Sequence, residues 1–238
     1  MRALIGTVSE VWLVALSVVA CGRIERQLPG AIPAEIFTQN KEFTYLVSRS
    51  DGQQLVPTDT VVLTSTGRIW EADSTQKAIG WGSRTDEMRS GTGVAESPRG
   101  VWIHPPRYGE YAILELSPFP EIRLPFKPGQ EWDWELSVGS YWSNPAWAVW
   151  QGQMQVKTHY KSVGQQRVAT PLGKLECQQV TAVARCSAGQ ATLSLLFHPQ
   201  YGFVELDYVN IDGGRLRFQL LSVGVVNEFD ATTYFGKQ

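Results

Sequence analysis

From Glu42 onward, apolar and polar positions alternate with the period of two that sends successive side chains to opposite faces of a β-strand. Phe43, Tyr45 and Val47 share one parity and end at the turn Ser50-Asp51-Gly52-Gln53. Thr60–Thr64 is β-branched and strand-like, and Thr66-Gly67 is expected to break it before Arg68-Ile69-Trp70. Residues 71–99 are polar and contain Gly80, Gly82, Gly91 and Gly93, a stretch long enough to hold short strands or to form a functional lid. In Glu131–Val138, Trp132, Trp134, Leu136 and Val138 face one way, and Glu131, Asp133, Glu135 and Ser137 the other. Trp150 to Tyr160 alternates in the same manner and spans roughly 36 Å as a strand, longer than usual. Lys174–Arg185, Ala191–Phe197, Phe203–Asn210 and Arg215–Val223 add four strands, with turns at Ser187-Ala188-Gly189-Gln190 and Asp212-Gly213-Gly214. The parity slips between Cys177 and Val180, which places a β-bulge near Gln178-Gln179. Outside the leader, only Ala31–Asn40 offers a helical candidate.

Long two-faced strands predict an all-β fold: one domain over 34–225, a strongly curved antiparallel sheet or half-barrel with few short helices. Residues 226–238 read as a frayed C-terminal tail, and 21–33, with Pro29, Gly30 and Pro33, as a tether.

The first twenty residues carry a different pattern. Arg2 gives a basic start, offset by Glu10, and Val11–Ala20 is an apolar run of about 15 Å as a helix. A hydrocarbon core is about 30 Å thick, so residues 1–20 read as a signal peptide and not as a membrane span. The run closes on Val18-Val19-Ala20-Cys21-Gly22. This segment resembles the lipobox of bacterial lipoproteins. The resemblance implies cleavage after Ala20, a diacylglycerol thioether on Cys21 and acylation of the new amino group, palmitate included. It also implies a cell-envelope protein held to a membrane by that lipid, and Gly22, where Asp would favour inner-membrane retention, leans it towards the outer membrane. The competing reading is an ordinary signal peptide in which Cys21 is incidental.

The composition narrows the partners. The 238 residues carry 21 Lys+Arg against 23 Asp+Glu, a formal charge of −2, which argues against a nucleic acid. Charged residues are 18% and hydrophobic ones 43%, so the chain can fill a core and is not a disordered segment. Three His and three Cys leave little for a metal centre, and none is expected, nor any cofactor. Nine Trp is the one large excess.

Several groupings could carry chemistry. Tyr141, Trp142 and Trp147 lie around Gly139-Ser140 and Ser143-Asn144-Pro145, where loop aromatics could stack on a glycan; elsewhere Trp132, Trp134 and Trp150 share parity with aliphatic neighbours and read as core. Glu131, Asp133 and Glu135 could hold calcium or act as paired acids, but the plainer reading is a solvated strand face. Asp207, Asn210 and Asp212 lack the fixed ligand spacing of a calcium loop. His104, His159 and His198 are scattered, and Gly80-Trp81-Gly82 lacks the third Gly and the helix of a phosphate loop. Cys177 and Cys186 are nine positions apart on one strand, about 30 Å, whereas a disulfide needs about 7 Å, so both are expected to be free.

The second half resembles, through Pro125 to Trp132, Pro171-Leu172-Gly173 with Glu176-Cys177, and Tyr201-Gly202-Phe203-Val204, a group of exported β-rich bacterial proteins. That resemblance implies an antiparallel exported domain and no activity. With no nucleophile elbow, the expected role is non-catalytic: binding or assembly, with an apolar or acyl ligand on the concave side. The alternatives are a glycan module using Tyr141, Trp142 and Trp147, or a hydrolase drawing on Asp86, Glu87, His104 and Glu110.

Overall fold

The alternating run at Phe43, Tyr45 and Val47 becomes the first strand, with those three rings and side chains buried and their alternates only partly covered. The structure is a computed structural model that describes residues 35–50, 54–84 and 89–226, all within one unit beginning at Ile32. Its strands are β1 (Lys41–Ser50), β2 (Val56–Trp70), β3 (Asp73–Ser83), β4 (Arg89–Ser97), β5 (Gly100–Ile103) and β6 (Glu121–Arg123). The second run holds β7 (Glu131–Gly139), β8 (Gln153–Thr170), β9 (Gly173–Cys186), β10 (Gly189–His198), β11 (Gly202–Val209) and β12 (Arg215–Val225). All twelve form one antiparallel sheet in the order β6-β5-β4-β3-β2-β1-β12-β11-β10-β9-β8-β7. The sheet is therefore two six-stranded meanders joined where the first strand pairs with the last, from Lys41↔Val225 to Ser50↔Arg215.

The two outer strands, β6 and β7, are consecutive in sequence, and the short segment 124–130 connects them. The sheet must curl until they approach. Register shifts at Thr44/Tyr45, Val47/Ser48, Ser162/Gly164 and Leu196/Phe197 supply bends of the kind bulges produce. Side chains close the seam: Phe119 and Trp102 pack on Trp134 at 5.1 and 5.8 Å, and the Arg123 guanidinium lies 5.1 Å from the Trp132 ring centre. Gly129 N donates to Ser162 O (2.7 Å) and Ser162 N to Gln130 O (2.8 Å), which pins the connection to β8. Inside the curl, Trp81, Tyr45, Tyr160, Tyr208, Phe43 and Phe218 are fully buried, so the concave side is filled by the chain's own rings. Burying them is the main stabilising term for such a sheet.

Four expectations change, and the alternative left open for 71–99 is decided in favour of strands. Thr66-Gly67 does not end the strand: Thr66 Oγ1 donates to Ala78 O at 2.8 Å and accepts from Arg68 N at 2.9 Å, while Gly67 takes φ +68, so the irregularity is absorbed within β2. Residues 71–99 are not a lid; β3 and β4 are sheet members, and Gly93 is small because a Cβ there would lie 2.6 Å from Trp70 Cε3. The described part of Ala31–Asn40 is a bend and turn without helix, whereas 3-10 helices occupy Gly109–Leu116 and Ser140–Trp142. The slip in β9 is real, with Cys177 and Gln178 both buried, but the extra residue is Val163 of β8, set between Ser162↔Val180 and Gly164↔Gln179. In addition, β8 begins at Gln153 and runs on to Thr170, so Trp150 precedes it and its distal half forms an arm with β9. Val168 and Leu172 of that arm pack against the main core.

Antiparallel order sorts the connections. Those after β2, β4, β6, β8 and β10 lie at one end of the strands, together with the entry of the chain at Glu35 and its departure at Val226. There Val226 N donates to Asn40 O at 2.8 Å, and Glu96 accepts from Ile36 N (2.6 Å) and Phe37 N (3.0 Å). Those after β1, β3, β5, β7, β9 and β11 lie at the other end.

Candidate functional site

The β7–β8 connection lies at the end remote from Glu35 and is held by its own backbone. Ser140 N donates to Gly152 O (2.8 Å) and Ser143 N to Ser140 O (3.0 Å); Asn144 N and Ala148 O meet at 2.8 Å, Ala148 N and Asn144 O at 2.9 Å. The Asn144 side chain accepts from Ala146 N (2.9 Å), and Ser143 Oγ from Trp150 N (3.1 Å). Trp150 Nε1 donates to Val138 O at 3.2 Å, tying the far side of the loop to β7. Gly152, at φ +70, makes the turn into β8. A loop so fully bonded loses little freedom when something binds to it.

The three aromatics expected to bind are placed differently from one another. Tyr141 is 87% exposed. Its ring meets Trp142 edge-on at 5.1 Å and 87°, so the pair forms a corner and not a flat platform. Trp142 is half-buried, with the Arg107 guanidinium 4.7 Å from its ring centre. Trp147 turns inward and packs against the cluster of Leu116, Val138, Met154, Val156 and Ala184. Arg107 Nε in turn meets Glu115 Oε1 at 2.5 Å, and the Glu115 side chain is only 4% exposed. Burial pushes the Glu115 carboxyl up, and the Arg107 charge opposes that. Arg107 and Glu115 thus brace the loop from beneath, and the spacing of apolar residues gives no hint of Arg107. Glu115 does leave a trace: it is the one acid inside the apolar run Tyr111–Leu116.

The acidic face of β7 is a cross-strand ladder. Glu131, Asp133 and Glu135 stand opposite Lys161, His159 and Lys157 in register. The pairs meet at 2.8 Å (Lys161–Glu131), 2.8 Å (His159–Asp133) and 3.3 Å (Lys157–Glu135). Asp207, Asn210 and Asp212 have separate partners: Arg215 Nε (2.7 Å), Ser117 Oγ (3.2 Å) and Gly214 N (2.8 Å). Among the described residues no group of His, Cys, Asp and Glu is arranged to hold a metal ion.

Of the hydrolase residues, the two described ones, His104 and Glu110, have separate surroundings. Asp86 and Glu87 lie outside the described residues, and Glu110 pairs with Arg49. His104 sits among Trp70, Trp102 and Phe119, with ring centres at 5.6, 4.7 and 5.0 Å. Burial there pushes its imidazole down to about 3, and its Nδ1 finds no partner among the described residues. Its carbonyl accepts from Trp81 Nε1 at 2.9 Å. His198 stacks on Tyr201 at 5.0 Å. Cys177 is buried and Cys186 half-buried, both as free thiols, and burial pushes the Cys177 thiol up to about 11. Cys21, like the rest of the leader, lies outside the described residues.

Cavities lie along the rim at the entry end and beneath the β8–β9 arm. A shallow groove of about 440 Å³ beside β5 and β6 is lined in part by Arg99, Trp102, Glu121 and Arg123. A second of about 200 Å³ adjoins Glu35, Ile36 and Pro98. Between the arm and β10–β12 lies one of about 320 Å³, reached by Val168, Leu196, Val204 and Arg217.

No protein-family model matches this sequence, and no curated protein is significantly similar to it. Solved structures similar to it at low identity include the following three. A protein of Bacteroides fragilis NCTC 9343, described as exported and of YmcC-like fold, is 11% identical, with 80% of this chain and 100% of that one covered, at TM-score 0.49. A protein described as a lipoprotein, from Parabacteroides distasonis ATCC 8503, is 8% identical over 79% of this chain and 96% of that one, at TM-score 0.45. The hypothetical lipoprotein YmcC of Escherichia coli (K12) is 8% identical over 81% of this chain and 92% of that one, at TM-score 0.38.

Proposed function

We propose that this chain is a cell-envelope lipoprotein, anchored through acylated Cys21 and destined for the outer membrane, whose role is to bind and not to catalyse. Its ligand surface is the β7–β8 loop, and its ligand a polysaccharide. The observation that carries this reading is Tyr141: a ring 87% exposed, on a loop whose every turn is hydrogen-bonded and whose base is packed. Large exposed rings on rigid supports are the usual anchors of recognition, because contact area is gained at low entropic cost. Position supports the same reading. The loop and the chain entry lie at opposite ends of strands about 30 Å long, so an anchor at the entry end would hold Tyr141 away from the bilayer. The filled concave side leaves the loop as the better place for a ligand than the inside of the curl.

The test is a fluorescence titration of the purified protein with solubilised peptidoglycan and with a neutral polysaccharide. Saturable quenching by either is expected, with affinity roughly tenfold weaker in Tyr141→Ala, whose melting temperature should not change. Equal affinity in the variant, or no saturable response to either polymer, would overturn the assignment.

A further inference from the structure

Charge is missing from one continuous part of this chain. Charged residues are 18% of the whole, yet none occurs from Leu136 to Val156, the segment that ends β7, forms the β7–β8 loop and begins β8. Of its large hydrophobic side chains, Tyr141 is 87% and Val149 72% exposed. The side chains that meet solvent where β8 begins are amides, those of Gln151, Gln153 and Gln155. The one cation that touches the loop aromatics, Arg107 against Trp142, is neutralised by Glu115.

The outer faces of β7 and β8 continue this surface away from the loop. Gly139 stands opposite Gln153 in register, and Ser137 opposite Gln155. Gln155 Nε2 donates to Ser137 Oγ at 2.7 Å, which fixes the amide and leaves its Oε1 without a partner among the described residues. At Gly139 the backbone is bare. Beyond its chain neighbours, only the Gln153 amide, at 3.6 Å, lies within 4 Å of where a Cβ would stand. The first charges come in the next row, where Glu135 meets Lys157 at 3.3 Å and Arg185 stands opposite Lys157 on β9. Four strand positions separate that row from Gly139, about 13 Å, beyond the screening length of about 10 Å at 0.1 M salt.

A ligand carboxylate or phosphate laid against Tyr141 would lose water there without meeting a counter-charge, and that is costly. Hydroxyl groups lose little, because each glutamine amide both donates and accepts, and the apolar face of a sugar ring packs on an aromatic one. We infer that the ligand of the β7–β8 loop is an uncharged polysaccharide, which runs from Tyr141 over Gly139 and Gln153 to Ser137 and Gln155. This rests on the reading of Tyr141 as the anchor and adds to it the class of polymer and the path it takes. The pair Glu135–Lys157 closes the path, since any unit laid beyond it must displace one charge or the other from its partner.

The experiment follows tryptophan fluorescence of the purified protein during titration with neutral polymers (dextran, laminarin, galactomannan) and acidic ones (polygalacturonate, alginate, hyaluronate), each at low and high salt. Expected is saturable binding of at least one neutral polymer with the same affinity at both salts, and binding of every acidic polymer at least roughly tenfold weaker. Gln153→Ala and Gln155→Ala should each weaken the neutral polymer about fivefold, the effect of one neutral hydrogen bond, at an unchanged melting temperature. An acidic polymer bound as tightly as the best neutral one, and weakened in Tyr141→Ala, overturns the uncharged class and leaves the anchor standing. A neutral polymer weakened in Tyr141→Ala but bound equally by both glutamine variants overturns the path and again leaves the anchor. Binding that Tyr141→Ala does not change, or no binding of any polymer, overturns the anchor and this inference together.

Discussion

The Arg107 guanidinium carbon sits 4.7 Å from the centre of the Trp142 ring, and its Nε meets the buried Glu115 carboxylate at 2.5 Å on the other side. One cation thereby couples the 3-10 helix Gly109–Leu116 to the β7–β8 loop. Removing only the cation leaves a carboxylate 4% exposed without its counter-charge, a change that costs about 3–5 kcal/mol in buried pairs. Arg107→Ala should therefore lower unfolding free energy by about that amount in urea titrations. Arg107→Met with Glu115→Leu should cost clearly less than the single change, because no charge is stranded. A double variant as unstable as Arg107→Ala would mean that the Trp142 contact and not the ion pair carries the coupling.

His104 gives the fold a pH dependence of known sign. The folded imidazole is held down at about 3 by burial first and by the Arg107 charge second, with Asp73 acting the other way. An unfolded histidine titrates near 6.5, so between about pH 6.5 and 3 the unfolded chain binds a proton that the folded one does not. Stability from this group is complete above about pH 6.5 and falls as pH drops, by about 1.4 kcal/mol per pH unit. His104→Phe keeps a ring among Trp70, Trp102 and Phe119 and should remove that part of the slope. Denaturant midpoints of both proteins between about pH 4 and 8 check it; parallel curves would mean that His104 does not titrate as described.

The ladder on β7 and β8 is a surface device. Its pairs are directly opposite in register, but each member is about half exposed or more, and exposed pairs contribute about 0–1 kcal/mol. Glu131→Gln or Lys157→Gln should each shift unfolding free energy by less than about 1 kcal/mol. Since Glu131 and Glu135 already face lysines and Asp133 is bonded to His159, calcium at millimolar concentration should leave the melting temperature unchanged. A clear rise with calcium, lost in Asp133→Asn, would reveal a metal site that the paired geometry does not suggest.

How much of this was legible beforehand depends on the range of the interaction. Strand faces were readable wherever one side is buried, as at Phe43, Tyr45 and Val47 or Met154, Val156 and Tyr160, because alternation is a local consequence of the pleat. The curved antiparallel sheet followed from the length of such strands. Residues 71–99 were ambiguous because glycines at 80, 82, 91 and 93 contribute no face; for Gly93 the reason is the closeness of Trp70 and Gln76, which lie on β2 and β3, outside any local window. The 3-10 helix at 109–116 was missed because Pro105 and Pro106 interrupt any period before it and one short helix offers little period of its own. The loop aromatics were visible as a cluster; the inward turn of Trp147 depends in part on Leu116 and Ala184, and the support of Trp142 on Arg107, all more than thirty positions away.

The pairing of β1 with β12 places both ends of the described sheet at its middle, while β6 and β7 are the flanks. Joining Val226 to Glu35 and opening the chain within 124–130 would yield an uninterrupted up-and-down ribbon, β7 through β12 and then β1 through β6. The natural order is therefore a circular permutation of the simplest possible arrangement. Its consequence is kinetic: each six-stranded half can zip by neighbouring hairpins, but the halves unite only after the C-terminal strand has been synthesised. The permuted chain, whose strand pairings all become local while the seam between β6 and β7 becomes its longest-range contact, should pair its strands faster.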